Sequence, residues 1–94
     1  MKIIYTPESV GDLKRLREFI STENPNAAAQ IAKSLRIGIK KLKTLPKLGI
    51  EVKEAESEMI RDLILGDDII RYLLLGEVIY ILRIWYQKED WKKT

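Results

Sequence analysis

The chain contains no cysteine and no histidine. Disulfides and thiol nucleophiles are therefore excluded. Histidine-based triads, histidine general bases and the usual zinc ligand sets are excluded with them. Any catalysis would have to come from Arg, Lys, Tyr or carboxylates. Long apolar runs are also missing. The longest, such as Val78 to Leu82, is about five residues, far short of the ~20 that a membrane-spanning helix needs. The N-terminal Met-Lys-Ile-Ile-Tyr meets Thr6-Pro7 before an apolar signal core could develop. Together these features lead to the expectation of a cytoplasmic protein without a membrane partner. No glycine-rich phosphate loop, EF-hand spacing or metal-ligand cluster occurs, and no cofactor is expected.

What is present is the composition of one globular domain. Over 94 residues, 46% are apolar and 33% charged, and the length fits one modest core. The net charge of +3, from 17 basic and 14 acidic residues, permits contact with nucleic acid without demanding it.

Residues 2–5 read as a short strand. Thr6 is a good helix N-cap, Pro7 suits the first helical position, and Glu8 complements the positive end of the helix dipole. A first helix is expected from Pro7 to about Thr22. Its apolar residues Val10, Leu13, Leu16, Phe19 and Ile20 cover roughly half the circumference at about 100° per residue. Asn24-Pro25 repeats the start signal. Ala28, Ile31, Ala32, Leu35, Ile39 and Leu42 then follow helical spacing, and the helix is expected to stop near Thr44, ahead of Leu45-Pro46. So short a break between the helices allows only an antiparallel hairpin. Ile37 falls opposite the stripe beside Gly38. The pair reads either as a shallow notch open to a partner backbone or as a tolerated glycine next to one exposed isoleucine.

Residues 50–58 read as a polar connection or an edge strand. Three β-type runs follow, Met59–Leu65, Ile69–Leu75 and Val78–Tyr86. Gly76-Glu77 suits a two-residue type II′ hairpin. The last run is apolar on both faces, as in a central strand. Helices and strands are segregated, so the fold class is α+β over residues 1–94, with a helical hairpin on one face of a four-stranded antiparallel sheet.

Three groups of residues could carry function. Lys33, Arg36, Lys40, Lys41, Lys43 and Lys47 cluster on the second helix and the loop after it. They read either as a phosphate-contacting stripe or, more simply, as a solvated face that suits the helix's C-terminal dipole. Arg61, Arg71 and Arg83, with Tyr72, Tyr80 and Tyr86, could serve a ribonuclease in which arginines stabilise phosphorane charge. Equally, they could mark solvent faces of strands. Arg83 and Tyr86 are three apart in a strand and point to opposite faces unless a bulge intervenes. The C-terminal mixture of Trp85, Tyr86, Lys88, Trp91, Lys92 and Lys93 has the composition of an interaction surface.

Several segments, in order, resemble ParE-type toxins of the RelE/ParE superfamily of toxin–antitoxin systems. They are Ile4-Tyr5-Thr6-Pro7 with Asp12-Leu13; Asn24-Pro25 with Ala27-Ala28 and Ile31-Ala32; and Leu45-Pro46 with Gly49. The match continues through Ile60-Arg61-Asp62-Leu63, Tyr72 and Val78 to Trp85. The resemblance implies a toxin that inhibits DNA gyrase by binding and is neutralised by a cognate antitoxin. On that reading the antitoxin's C-terminal segment contacts Leu13, Leu16, Ile20, Ile37, Lys40 and Lys41, with Leu16, Ile20 and Ile37 as outward apolar anchors. It implies too that operator DNA is bound only through the antitoxin. The target-binding residues would be Arg61, Arg83, Trp85, Tyr86, Lys88 and Trp91. The alternative is the RelE-like branch, a ribosome-dependent mRNA endoribonuclease. Its expected arginine falls at Ile69 here, and its basic C-terminal series at Glu89 and Asp90. The nuclease residues do not carry over.

Overall fold

The computed structural model describes residues 1–55, 57 and 59–87. Its elements run β1 (Lys2–Tyr5), α1 (Pro7–Glu23), α2 (Pro25–Lys41), β2 (Ile50–Glu51), β3 (Ile60–Leu65), β4 (Asp68–Leu75) and β5 (Val78–Tyr86). The two helices pack on a five-stranded sheet of order β1-β5-β4-β3-β2. The expected four strands are thus joined by β2, two residues paired antiparallel to β3. The sheet is antiparallel except at β1, which lies parallel to β5 with Ile3 opposite Ile79. A parallel partner distant in sequence is reached by a crossover, here the whole chain between the first strand and the last.

The helix starts follow from capping chemistry. Thr6 Oγ1 accepts from the Ser9 amide at 3.2 Å. The same hydroxyl donates to the Ile81 carbonyl at 2.7 Å, so one side chain caps α1 and ties it to β5. Asn24 serves both helices. Its amide donates to the Ile20 carbonyl and closes α1, while its side-chain oxygen accepts from Asn26 and Ala27 and opens α2. α2 ends at Lys41, three residues before the expected stop, with Leu42 still helical in backbone angle but buried as a core residue.

Both β-hairpins turn on two residues with glycine first, Gly66-Asp67 and Gly76-Glu77. Each glycine has a positive φ, 64° and 61°, a conformation that costs glycine little and other residues more. The core gathers Leu16 and Ile20 of α1, Leu35, Ile39 and Leu42 around α2, and Leu63, Ile70, Tyr72, Leu74, Ile79, Ile81 and Ile84 of the sheet. In β5 the alternation breaks once. Arg71 faces Arg83, but Tyr72 faces Ile81, so Leu82 is an extra residue and the strand bulges there.

Candidate functional site

α1 and α2 diverge around a groove of about 580 Å³. Leu13, Leu16 and Ile20 come from α1; Ala28, Ile31, Ala32, Leu35 and Ile39 come from α2; Tyr5 closes one side. The alanines of α2 leave the space that larger side chains would fill. Leu16 is 2% exposed and Ile20 scarcely more, so neither is the outward anchor expected from the helix pattern. They form the floor of the groove and are also core. A stripe over half a helix does not reveal which part faces the sheet. Arg17, not singled out in the sequence, and Arg36, read there as part of the basic cluster, line the groove as its cations.

Ile37 stands outside the groove and is 49% exposed. The neighbouring notch is not open to a partner. Gly38 is buried, and a Cβ there would run into Leu65 of β3 from the same chain. The glycine permits close helix–sheet contact. Lys40 and Lys41 are exposed at the end of α2.

The strand arginines are each engaged, on different elements. Arg83 grips Asp12 of α1 with two contacts, Nε to Oδ2 at 2.8 Å and Nη2 to Oδ1 at 3.0 Å. Asp12 also accepts from Arg15 at 2.8 Å and from the Ile84 amide at 2.9 Å. Its side chain is 3% exposed. Burial alone would raise its pKa, but the bonds from Arg83, Arg15 and Ile84 outweigh burial and hold it below the ordinary value. Arg83 in turn is held further into its charged form by Asp12. Asp12 was missed as a key residue. The signal available was its place on the same side of α1 as Ser9 and Leu16, where a carboxylate needs a partner.

Arg61 donates to the Gly49 carbonyl at 2.8 Å and lies 3.4 Å from Glu51. Beside it, the Tyr72 hydroxyl donates to the Pro46 carbonyl at 2.7 Å and accepts from the Gly49 amide at 2.9 Å. Burial raises the Tyr72 pKa, against smaller opposing effects of the Gly49 amide and Arg61. Arg61 and Tyr72 therefore staple the 45–49 loop to the sheet. Gly49 sits so close that a Cβ would be 2.8 Å from the Tyr72 ring. Arg71 binds Asp62 through two contacts of 2.8 and 3.0 Å, and its guanidinium lies 5.3 Å from the Trp85 ring centre.

Trp85, expected as part of a target-binding surface, is only 7% exposed. Tyr86 is half-buried, with its ring centre 6.4 Å from that of Phe19. The bulge at Leu82 precedes both Arg83 and Tyr86 and leaves the register between them regular. The two side chains reach α1 at different places, Asp12 and Phe19, two turns apart. Lys88 and Trp91 lie outside the described residues.

The family model for the ParE toxin of type II toxin–antitoxin systems, parDE, matches residues 3–91. The chain belongs to the ParE toxin family. A solved structure titled "Chromosomal ParDE TA system from P. aeruginosa" shares the fold of this ParE-family chain, with a TM-score of 0.74 and 21% identity over 92% of this chain and 95% of that one. No curated protein matches significantly. Among the described residues, no helix is long and apolar enough to cross a membrane.

Proposed function

We propose that this ParE-family chain is the toxin of a two-component pair, silenced by an antitoxin in the α1–α2 groove and acting in the cytoplasm by binding DNA gyrase. The observation that carries the reading is the apolar groove between the helices, with Arg17 and Arg36 among its lining residues. An amphipathic helix with acidic flanks fits such a surface. Leu13, Leu16 and Ile20 supply the apolar floor, and Ile37, Lys40 and Lys41 meet the segment where it leaves the groove. Tyr5, in the groove wall at the end of β1, leads to a sheet edge where an extended segment adds a strand. Operator DNA is bound through the antitoxin's other half.

Gyrase binding falls to the C-terminal end of β5, where Arg83 and Tyr86 precede Lys88 and Trp91. Trp85 supports that surface from within the fold, while Arg61 lies two strands away, against the 45–49 loop. Such inhibition requires no catalytic group. The engagement of Arg61 with the 45–49 loop and of Arg83 with Asp12 speaks against their meeting in one ribonuclease site. The deciding experiment is a supercoiling assay with purified toxin. Inhibition reversed by a peptide of the antitoxin's C-terminal segment is expected. Cleavage of ribosome-bound mRNA with supercoiling untouched would instead establish the RelE-like activity.

A further inference from the structure

We propose that the outer side of α2 and the loop after it form a second surface, which binds the phosphate backbone of duplex DNA without sequence preference. Residues 25–50 contain six basic side chains, Lys33, Arg36, Lys40, Lys41, Lys43 and Lys47, and no acidic one. The rest of the chain has eleven basic and fourteen acidic residues, so the positive charge of the protein resides entirely in this segment. All six side chains are exposed.

The six differ from the four arginines that are held in ion pairs. Arg15, Arg61, Arg71 and Arg83 each face a carboxylate. No ion pair involves the six among the described residues. Lys33, Arg36 and Lys40 fall within a narrow arc of the helix, on the side away from the buried Leu35 and Ile39. They span about 10 Å of axis at 1.5 Å per residue. One strand of duplex DNA presents a phosphate about every 3.4 Å of its axis, so a row of this length meets about three. Lys43 and Lys47 prolong the row into the loop.

The partner class follows from what accompanies the charge. Single-stranded nucleic acid and RNA loops are held by stacking on aromatic rings, and residues 25–50 contain no aromatic residue. An anionic membrane is entered by large apolar groups beside the cations; the helical arc offers only Ile37, while the exposed Leu45, Leu48 and Ile50 stand in and after the loop beyond it. A rigid helix bearing three lysines and one arginine suits a regular polyanion. The surface meets the apolar groove at Arg36 and shares Lys40 and Lys41 with the exit proposed for the antitoxin segment, and its existence does not depend on the gyrase reading.

The test measures binding of full-length toxin to a 20-base-pair duplex of arbitrary sequence by fluorescence anisotropy between 50 and 200 mM salt. Four phosphate contacts give a slope of log Kd against log salt of about 3.6, or about 150-fold weakening over that range. The triple substitution Lys33→Gln, Lys40→Gln, Lys43→Gln should lower the slope by about 2.7. A control with the same change in net charge, Lys2→Gln, Lys14→Gln, Lys53→Gln, should leave it unchanged. Absence of binding at 50 mM salt, equal loss in the control, or tighter binding to polyglutamate or phosphatidylserine vesicles than to duplex would each overturn the proposal. Intact DNA binding with no gyrase inhibition would sustain this surface and reject the proposed target.

Discussion

The contact between Asp12 and Arg83 joins the first helix to the last strand, and Asp12→Asn tests what it contributes. Asparagine preserves the volume and can still accept from the Ile84 amide. It loses the charge that Arg83 and Arg15 face, and its own amide hydrogens oppose theirs. A hydrogen bond to a charged group contributes about 1.5–3 kcal/mol when buried, whereas exposed ion pairs contribute about 0.2–1 kcal/mol. Asp12 is buried, but the Arg83 side chain is 46% exposed and is rehydrated when released. The expected loss is therefore about 2–3 kcal/mol in total, at or just below the ~3 kcal/mol where the range for fully buried pairs begins. For a domain of this size that is a fall in Tm of about 10–20 °C, read by circular dichroism. The depressed carboxylate pKa fixes the sign of the pH dependence. The stabilisation is fully present above the ordinary value of 3.8 and is lost as pH falls through the lower folded value. The difference between the variant and the parent should shrink below pH 3.8. A Tm change under ~3 °C at neutral pH, on the scale of a surface substitution, or a difference that stays constant into acid, would refute this account.

Three further outcomes are expected. Tyr72→Phe removes both hydroxyl contacts to the 45–49 loop, costs about 1–2 kcal/mol, and speeds hydrogen exchange at the Gly49 amide. Ile37→Glu weakens the purified complex with the antitoxin at least ~10-fold, equivalent to about 1.4 kcal/mol, with the fold unchanged by circular dichroism; unchanged affinity removes Ile37 from that interface. Gly49→Ala lowers Tm, because the added methyl meets the Tyr72 ring and the Asp62 backbone, and normal stability would show that the loop yields.

Much of the fold was legible because its signals are local. Thr6-Pro7 and Asn24-Pro25 mark helix starts through side-chain chemistry within three residues. Gly76-Glu77 marks a turn through glycine's freedom at positive φ. What was not legible depends on pairing across the chain. Asp12 and Arg83 are 71 residues apart, and neither carries a mark of the other. The bulge at Leu82 arises from the register against β4. β2 is a strand only because β3 offers it an edge. The same limit applied at the candidate site. The sequence pattern identified Leu16 and Ile20 as apolar, but only packing shows that they face inward, and only Leu65 explains Gly38.

The parallel seam between β1 and β5 has a consequence for how the protein is made. Synthesis proceeds at roughly 5–20 residues per second, and Tyr5 pairs with Ile81, so the first strand waits on the order of 4–15 s for its partner. Until β5 arrives, Thr6 lacks the carbonyl it donates to and Asp12 lacks Arg83. The two helices are then complete in sequence but have no sheet behind them. The molecule becomes a finished object only with its last strand, and each ribosome carries the completed helical hairpin for about half of that interval in an immature form.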